Sequence, residues 1–478
     1  MKYTFQEIKK LFLNKIQLLF NKNEFYKIGI IIFISFLIGS LVAYFECSAL
    51  YIMIFIFLFF IVFINPYLGL FFVIIFFPFA VGFSKGIDIK EQIYALLFGI
   101  WLIGWIVHQL IYYSGKFNFK WHPIYKCTLA ISVLLFIAAL IGLLTGSAFV
   151  DVLRDLSQYI GYLMFLPVVT IILNKKSAMR IFKIMFFIGL PCYIWTFFIW
   201  WARKFGSEYG VLNILGIGSS YFGPIIGSLW PLMVLKTGRR VQLLATLGII
   251  LFFCFSAGSG YRSQILYFII MTCISVWYIW NIQSGKEKIS VFIPLIIGVI
   301  FIFWIIFGTL GYLPLPGGEG IKFIYSSLLY PSKFLSDISI QGRIVEAQAA
   351  LKVFFHYPLF GQGLGHHVEM NWEHGSWYKF AFSQHLWPPE MLMKFGIFGS
   401  FVFLWYFISI IKLAYVIAKK TDDYLIKSIS LGVVIWIITS LIPGLGSFSD
   451  RGFAFTTGLI IGILPTLAKT PIKSEKGL

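Results

Sequence analysis

The chain has 478 residues, of which 59% are apolar, 20% aromatic and only 12% charged. Soluble domains carry about 25% charged residues, so the composition excludes a soluble globular domain, a disordered chain and a disulfide scaffold. The net charge of +19 is not a nucleic-acid signal, because most Lys residues sit in short stretches between apolar runs, as orientation in a membrane requires.

Residues 1–27 place Phe5, Ile8, Phe12, Ile16 and Leu19 at helical spacing, with Lys9, Lys10 and Lys15 between them. This pattern predicts a cytoplasmic amphipathic helix on a membrane surface; a solvated basic tail is the alternative. Apolar runs follow near 28–46, 49–64, 68–84, 91–113, 124–147, 157–174, 179–201, 215–235, 240–257, 262–281 and 289–311, and then near 389–418, 424–443 and 453–468. Runs of about 20 apolar residues are the length that crosses a bilayer. The runs 49–64 and 68–84 are short and separated by Pro66, so they are two spans or one re-entrant pair. The expected fold is an all-α polytopic membrane protein with about 12–14 transmembrane helices. Its transmembrane parts are 28–311 and 389–468. One large external loop, 312–388, holds a short helix expected from Arg343 to Phe355 and ended before Pro358. Residues 469–478 form a cytoplasmic tail. The five Cys, at 47, 127, 192, 254 and 273, show no CxxC spacing and read as small buried apolar side chains.

Charge sets the orientation. With the N-terminus inside and the runs alternating, the inner loops carry Lys116 and Lys120; Lys175, Lys176 and Arg180; Lys236, Arg239 and Arg240; Lys286 and Lys288; and Lys419, Lys420 and Lys427. Five of the eight Arg residues break the rule and fall outside: Arg154, Arg203, Arg262, Arg343 and Arg451. Guanidinium groups suit bidentate contact with phosphate or carboxylate, so the outer face reads as built for an anion. Arg262 follows Ser256-Ala-Gly-Ser-Gly-Tyr261 and opens a helix, where an Arg opposes the helix dipole unless an anion binds there. Its alternative is a snorkelling interface residue. Arg343 heads the loop helix in the same unfavourable sense, with Glu346 as an alternative partner. Arg451 beside Asp450, and Arg154 between Asp151 and Asp155, are either self-neutralised pairs or further anion contacts.

Five of the seven His residues lie between 356 and 385: His356, His366, His367, His374 and His385. Glu373 is adjacent, but HExxH and other strong ligand spacings are missing, and no metal is expected. His385 stands just before the next helix, beside Trp387, Pro388, Pro389 and Glu390. A His there is a candidate proton acceptor at neutral pH; packing within the loop is the alternative. The run Gly361-Gln-Gly-Leu-Gly365 has no strand–helix context, so a dinucleotide site is rejected. Its glycines instead let the loop turn back over the membrane.

The string from Arg343 through Phe354-Phe-His-Tyr-Pro-Leu-Phe-Gly-Gln-Gly-Leu-Gly365 resembles the O-antigen ligase and polymerase superfamily. In that family an Arg-headed loop helix runs into an hPlfGxGlG turn, and a His follows about 20 residues later. A helix with GxxG comes next, here Gly396-Ile-Phe-Gly399. Ser259-Gly-Tyr-Arg262 is similar to the upstream SRG-like Arg. The likeness is confined to about 259–400. Leu386 stands where relatives often have Asn, and Lys394 where an acidic residue is common, so Glu390 is the candidate substitute.

The resemblance implies a metal-independent, GT-C-like membrane glycosyltransferase without a cofactor. Such an enzyme transfers a polyprenyl (undecaprenyl)-diphosphate-linked glycan to an acceptor sugar. The acceptor is a lipid A core for an O-antigen ligase and a lipid-linked repeat unit for a surface-polysaccharide polymerase. The site lies at the outer face of a bacterial cytoplasmic (inner) membrane, in lipopolysaccharide or cell-envelope synthesis. Both termini are cytoplasmic, and the partners are donor, acceptor and membrane lipids, with no nucleic acid. Arg262 and Arg343, with Arg154 and Arg451 behind them, would bind the diphosphate. His385 would accept the hydroxyl proton, oriented by Glu390. Ligase and polymerase stay open. The alternative is a transporter of an anion or lipid-linked glycan, which would place charged or broken helices near the bilayer midplane.

Overall fold

The computed structural model describes residues 65–80, 89–113, 122–172, 174–188, 223–235, 237–258, 262–282, 338–366, 368–369, 380–381, 386–442 and 451–468. The expected segments 1–27, 28–46, 49–64, 289–311 and 469–478 lie outside them, as does His385. Helices are numbered here among the described residues. They are α1 (Pro66–Ala80), α2 (Ile89–Tyr113), α3 (Ile124–Leu144), α4 (Phe149–Tyr159), a 3-10 turn (Ile160–Met164) and α5 (Phe165–Ile171). Next come α6 (175–188), α7 (Gly223–Val234), α8 (Arg239–Gly258), α9 (Arg262–Ile282) and α10 (Ile338–His356). The chain closes with α11 (Trp387–Lys420), α12 (Tyr424–Ser440) and α13 (Arg451–Ala468). The only strands among the described residues are β1 (Val368–Glu369) and β2 (Phe380–Ala381), paired antiparallel with Val368 opposite Ala381.

Three of these helices, α3, α11 and α13, are long and apolar enough to cross a membrane. They do not meet their surroundings in the same way. On α3, Ile124, Cys127, Ile131, Leu135 and Ala138 are buried at helical spacing, while Leu129, Val133, Phe136, Leu140 and Leu144 are exposed. A helix apolar on its free face as well as its packed face suits a lipid surrounding. By contrast α13 is buried from Gly452 to Leu467, and α12 is buried through its middle. α7, α9 and α11 pack on α12, the 3-10 turn and α5 pack on α13, and α3 packs on α11.

Close backbone contact holds these helices together. Gly227 of α7 faces the Gly432 backbone of α12, and a side-chain carbon on either would strike the other helix. Gly458 and Gly462 of α13 press likewise on the 3-10 turn and α5. Between apolar helices, such small-residue contacts let dispersion replace the missing hydrophobic drive.

The ends carry local signals. Pro388 and Pro389 start α11, where a missing N–H costs nothing. Asp423 caps α12, its carboxylate accepting from the Leu425 and Ile426 N–H groups at 2.9 and 3.2 Å. Two boundaries differ from expectation. The run expected near 157–174 starts at Phe149, because Val152, Asp155 and Tyr159 make one buried face. The loop helix starts at Ile338, so Arg343 lies in its second turn. The helix-dipole argument, which fades within the first turn, therefore does not apply to Arg343.

Candidate functional site

The site is built around a break in α11. Gly396 has φ 64° and ψ −167°, a conformation that side chains avoid. The break releases two carbonyls, of Met393 and Lys394, and two N–H groups, of Ile397 and Phe398. The turn after α10 supplies a partner for each. The Gln362 and Gly363 N–H groups donate to the Met393 and Lys394 carbonyls at 2.8 and 3.1 Å. The Ile397 and Phe398 N–H groups donate to the Pro358 and Leu359 carbonyls at 2.9 and 3.2 Å. Broken helix and turn thus complete each other's hydrogen bonding, as buried backbone requires.

The rest of the turn is tied to α3 and α4. The Leu364 N–H donates to the Ala138 carbonyl at 3.0 Å, and Thr145 Oγ1 donates to the Gln362 carbonyl at 3.1 Å. Gly361, Gly363 and Gly365 all have positive φ. Gly363 lies against the backbone of Gly142 on α3, so its lack of a side chain serves both conformation and contact.

Beneath the turn lies a buried ionic cluster. The Lys394 ammonium donates to Asp155 Oδ1 at 2.7 Å and to Glu390 Oε1 at 2.8 Å, and all three side chains are fully buried. A third, longer contact runs from Lys394 Nζ to the Tyr159 hydroxyl at 3.5 Å. The other Asp155 oxygen accepts from the Gly365 N–H at 3.0 Å. Two carboxylates around one ammonium leave a formal charge of −1, held by hydrogen bonds from α11 and the turn. In a low-dielectric interior this arrangement persists only with such complete pairing.

One of the sequence-predicted residues lies in this cluster. Glu390 is in the cluster, one helical turn before Lys394. Arg154, half-buried on α4 beside Asp155, has its own interaction partner, as does Arg451 at the start of α13. Arg262 opens α9. Arg343 is on the half-buried part of α10, and its Nε is buried with no hydrogen-bond partner among the described residues. α10 docks on α11 through Ala350, which packs with Met393 and Val368. Beyond the end of α10, the Ile397 N–H donates to the Pro358 carbonyl. Arg343 lies seven residues before Ala350 on α10. Among the described residues no group of three His, Cys, Asp or Glu side chains is arranged to hold a metal; His367, Glu373, His374 and His385 are outside them.

Asp155, Tyr159 and Lys394 are the site residues that sequence reasoning missed. Two signals were present. Glu390 and Lys394 have the i,i+4 spacing of a helical ion pair in an otherwise apolar segment. Asp155 falls in register with Val152 and Tyr159. No known family model matches the chain, and no curated protein matches it.

Proposed function

We propose that this chain is a membrane glycosyltransferase that moves a glycan from a polyprenyl diphosphate to an acceptor sugar, as a ligase or a polymerase of the O-antigen type. One observation carries the reading: Arg343, in the helix that leads into the glycine-rich turn, has a buried guanidinium N–H with no hydrogen-bond partner among the described residues. A buried cation with a hydrogen bond still to give suits a reaction in which an anion leaves.

In this mechanism Arg343 and Arg262 grip the diphosphate. The acceptor hydroxyl oxygen attacks the anomeric carbon as the bond from that carbon to the phosphate oxygen breaks. The electron pair leaves with the diphosphate, where the two guanidinium groups stabilise the growing charge. His385 takes the hydroxyl proton. Glu390 contributes from below, with its carboxylate anchored by Lys394. Arg154 and Arg451 support the same outer face. The site belongs to the outer side of a bacterial inner membrane, with both termini in the cytoplasm.

Transport is the second reading, because α11 is broken beside buried charges. A carrier needs such a break near the bilayer midplane. Here the turn that fills the break bonds to the last turns of α3, close to a helix end. The test is deletion of the gene, followed by sizing of polyprenyl-linked glycans by gel and mass spectrometry. Single repeat units without long chains identify a polymerase. Long chains stranded on the lipid carrier identify a ligase. Unchanged glycans reject transfer and favour transport.

A further inference from the structure

The turn after α10 has two faces of opposite character. Inward, the N–H groups of Gly361, Gln362, Gly363, Leu364 and Gly365 all donate to acceptors in the protein. Outward, Phe355 is 73% exposed, and Leu359 and Phe360 are each 54% exposed. Phe360 stacks on Phe398 of α11, with ring centroids 5.4 Å apart. Phe398 and Phe401 continue the exposed apolar surface along α11, a helix long and apolar enough to cross a membrane.

A loop in water has no need to bond five successive N–H groups, from Gly361 to Gly365, internally while turning its largest apolar side chains outward. Non-helical backbone entering a membrane gains from both. Depth can be read from α3. Leu364 bonds to the carbonyl of Ala138, six residues before the final helical residue, Leu144. At 1.5 Å per residue the turn reaches about 9 Å inside the end of that helix. Interfacial apolar segments bury themselves to about 5–10 Å.

We propose that residues 354–365 form a shallow re-entrant element, with Phe355, Leu359 and Phe360 lying among the lipid acyl chains of the leaflet where α11 begins. The occupant of this face is bilayer lipid because the Phe360–Phe398 stack makes the face continuous with the exposed apolar side of α11. The loop expected to be wholly external over 312–388 then returns to the membrane at its glycine-rich turn. This inference goes beyond the transfer reaction and rests only on α3 and α11 crossing the bilayer.

The test is spin labelling in phosphatidylethanolamine/phosphatidylglycerol liposomes. The five native cysteines are replaced by Ala, and single labels are placed by Phe355→Cys and Leu359→Cys. Phe401→Cys on α11 is the lipid reference, and Lys352→Cys, an exposed charged position one turn before Phe355 on α10, is the water reference. Labels at 355 and 359 should collide with oxygen as strongly as the label at 401. They should be several-fold less accessible to a water-soluble nickel chelate than the label at 352. Nickel access equal to that at 352, with 401 still oxygen-favoured, overturns the proposal. Low access to both reagents also overturns it, because protein or a second copy then covers the turn. A nickel-accessible 401 removes the span and the proposal together. The unaltered chain gives an independent measurement in liposomes with a diazirine-bearing acyl chain. Adducts should map to the 354–360 peptide as well as to α11, and their restriction to α11 overturns the inference.

Discussion

Lys394 and Arg343 are both cationic, yet their surroundings give them different work. Lys394 spends its ammonium protons on Asp155, Glu390 and the Tyr159 hydroxyl. Lys394→Met leaves two carboxylates facing each other without a counter-charge, which should cost roughly 3–5 kcal/mol. Adding Asp155→Asn removes one of those charges, so the double variant should be more stable than Lys394→Met alone in thermal unfolding of the solubilised protein. Equal stability would show that the pair is not coupled. Arg343 keeps one buried N–H unspent, which marks it as a ligand-binding residue in the proposed reaction. Arg343→Ala should abolish glycan transfer at unchanged thermal stability. Arg343→Lys should also be poor, since an ammonium cannot make the bidentate contact. Wild-type transfer by either variant would reject the diphosphate grip.

Among the elements, α11 shows how a helix can be interrupted without exposing its backbone. Its break is filled by a turn whose N–H and carbonyl groups match those released at Gly396. Gly396 has positive φ, and a side-chain carbon there would meet the backbone of Leu359 and Gly361. Gly396→Ala should therefore destabilise the protein by on the order of 1–3 kcal/mol through strain and weaken transfer by displacing the turn. Gly99, inside α2 with open space around it, is the control; Ala there should be neutral or gain up to about 1 kcal/mol. Comparison of the two melting temperatures checks both statements. The α7–α12 crossing at Gly227 and Gly432 follows the same logic, since two helices approach this closely only where neither has a side chain.

For the whole molecule, two Lys-bearing connections meet at one end. Lys175, at the start of α6, bonds to Asp423, between α11 and α12, at 2.7 Å. The charge pattern assigned both connections to the same side of the membrane, and the structure places them together. The glycine-rich turn lies toward the other end, at the start of α11 and the end of α3. Burial alone would raise the Asp423 carboxyl. The Lys175 hydrogen bond and charge, with the backbone N–H groups of Ile426 and Leu425, outweigh burial and hold it below the ordinary carboxylate value. A lowered carboxyl contributes stability that is complete above its ordinary value and lost as pH falls through the lowered one. Asp423→Asn keeps a helix cap but removes the charge. Its thermal stability should fall less than that of the wild type on acidification below about pH 4. The effect is small because the pair is partly exposed. Identical acid profiles would show that the contact does not contribute.

Apolar runs and their punctuation sufficed to place most described helices. Runs expected at 91–113, 240–257, 262–281 and 389–418 appear as α2, α8, α9 and α11 within about two residues, because helix ends follow local chemistry: prolines at 388 and 389, lysines at 419 and 420. The glycine-rich turn was also legible, since three glycines in five residues have few other uses. The partner of that turn was not legible. Nothing local to Gly396 says that α11 opens there, because a glycine inside an apolar helix is common in membranes. The role of Lys394 was hidden for the same reason. It reads as a departure from a motif until Asp155, 239 residues away, is brought against it by the packing of α4 and α11. Hydropathy is a property of each segment, so sequence determines which residues form apolar helices. Charge compensation and backbone pairing in a buried site are properties of two segments at once, and only tertiary packing decides them.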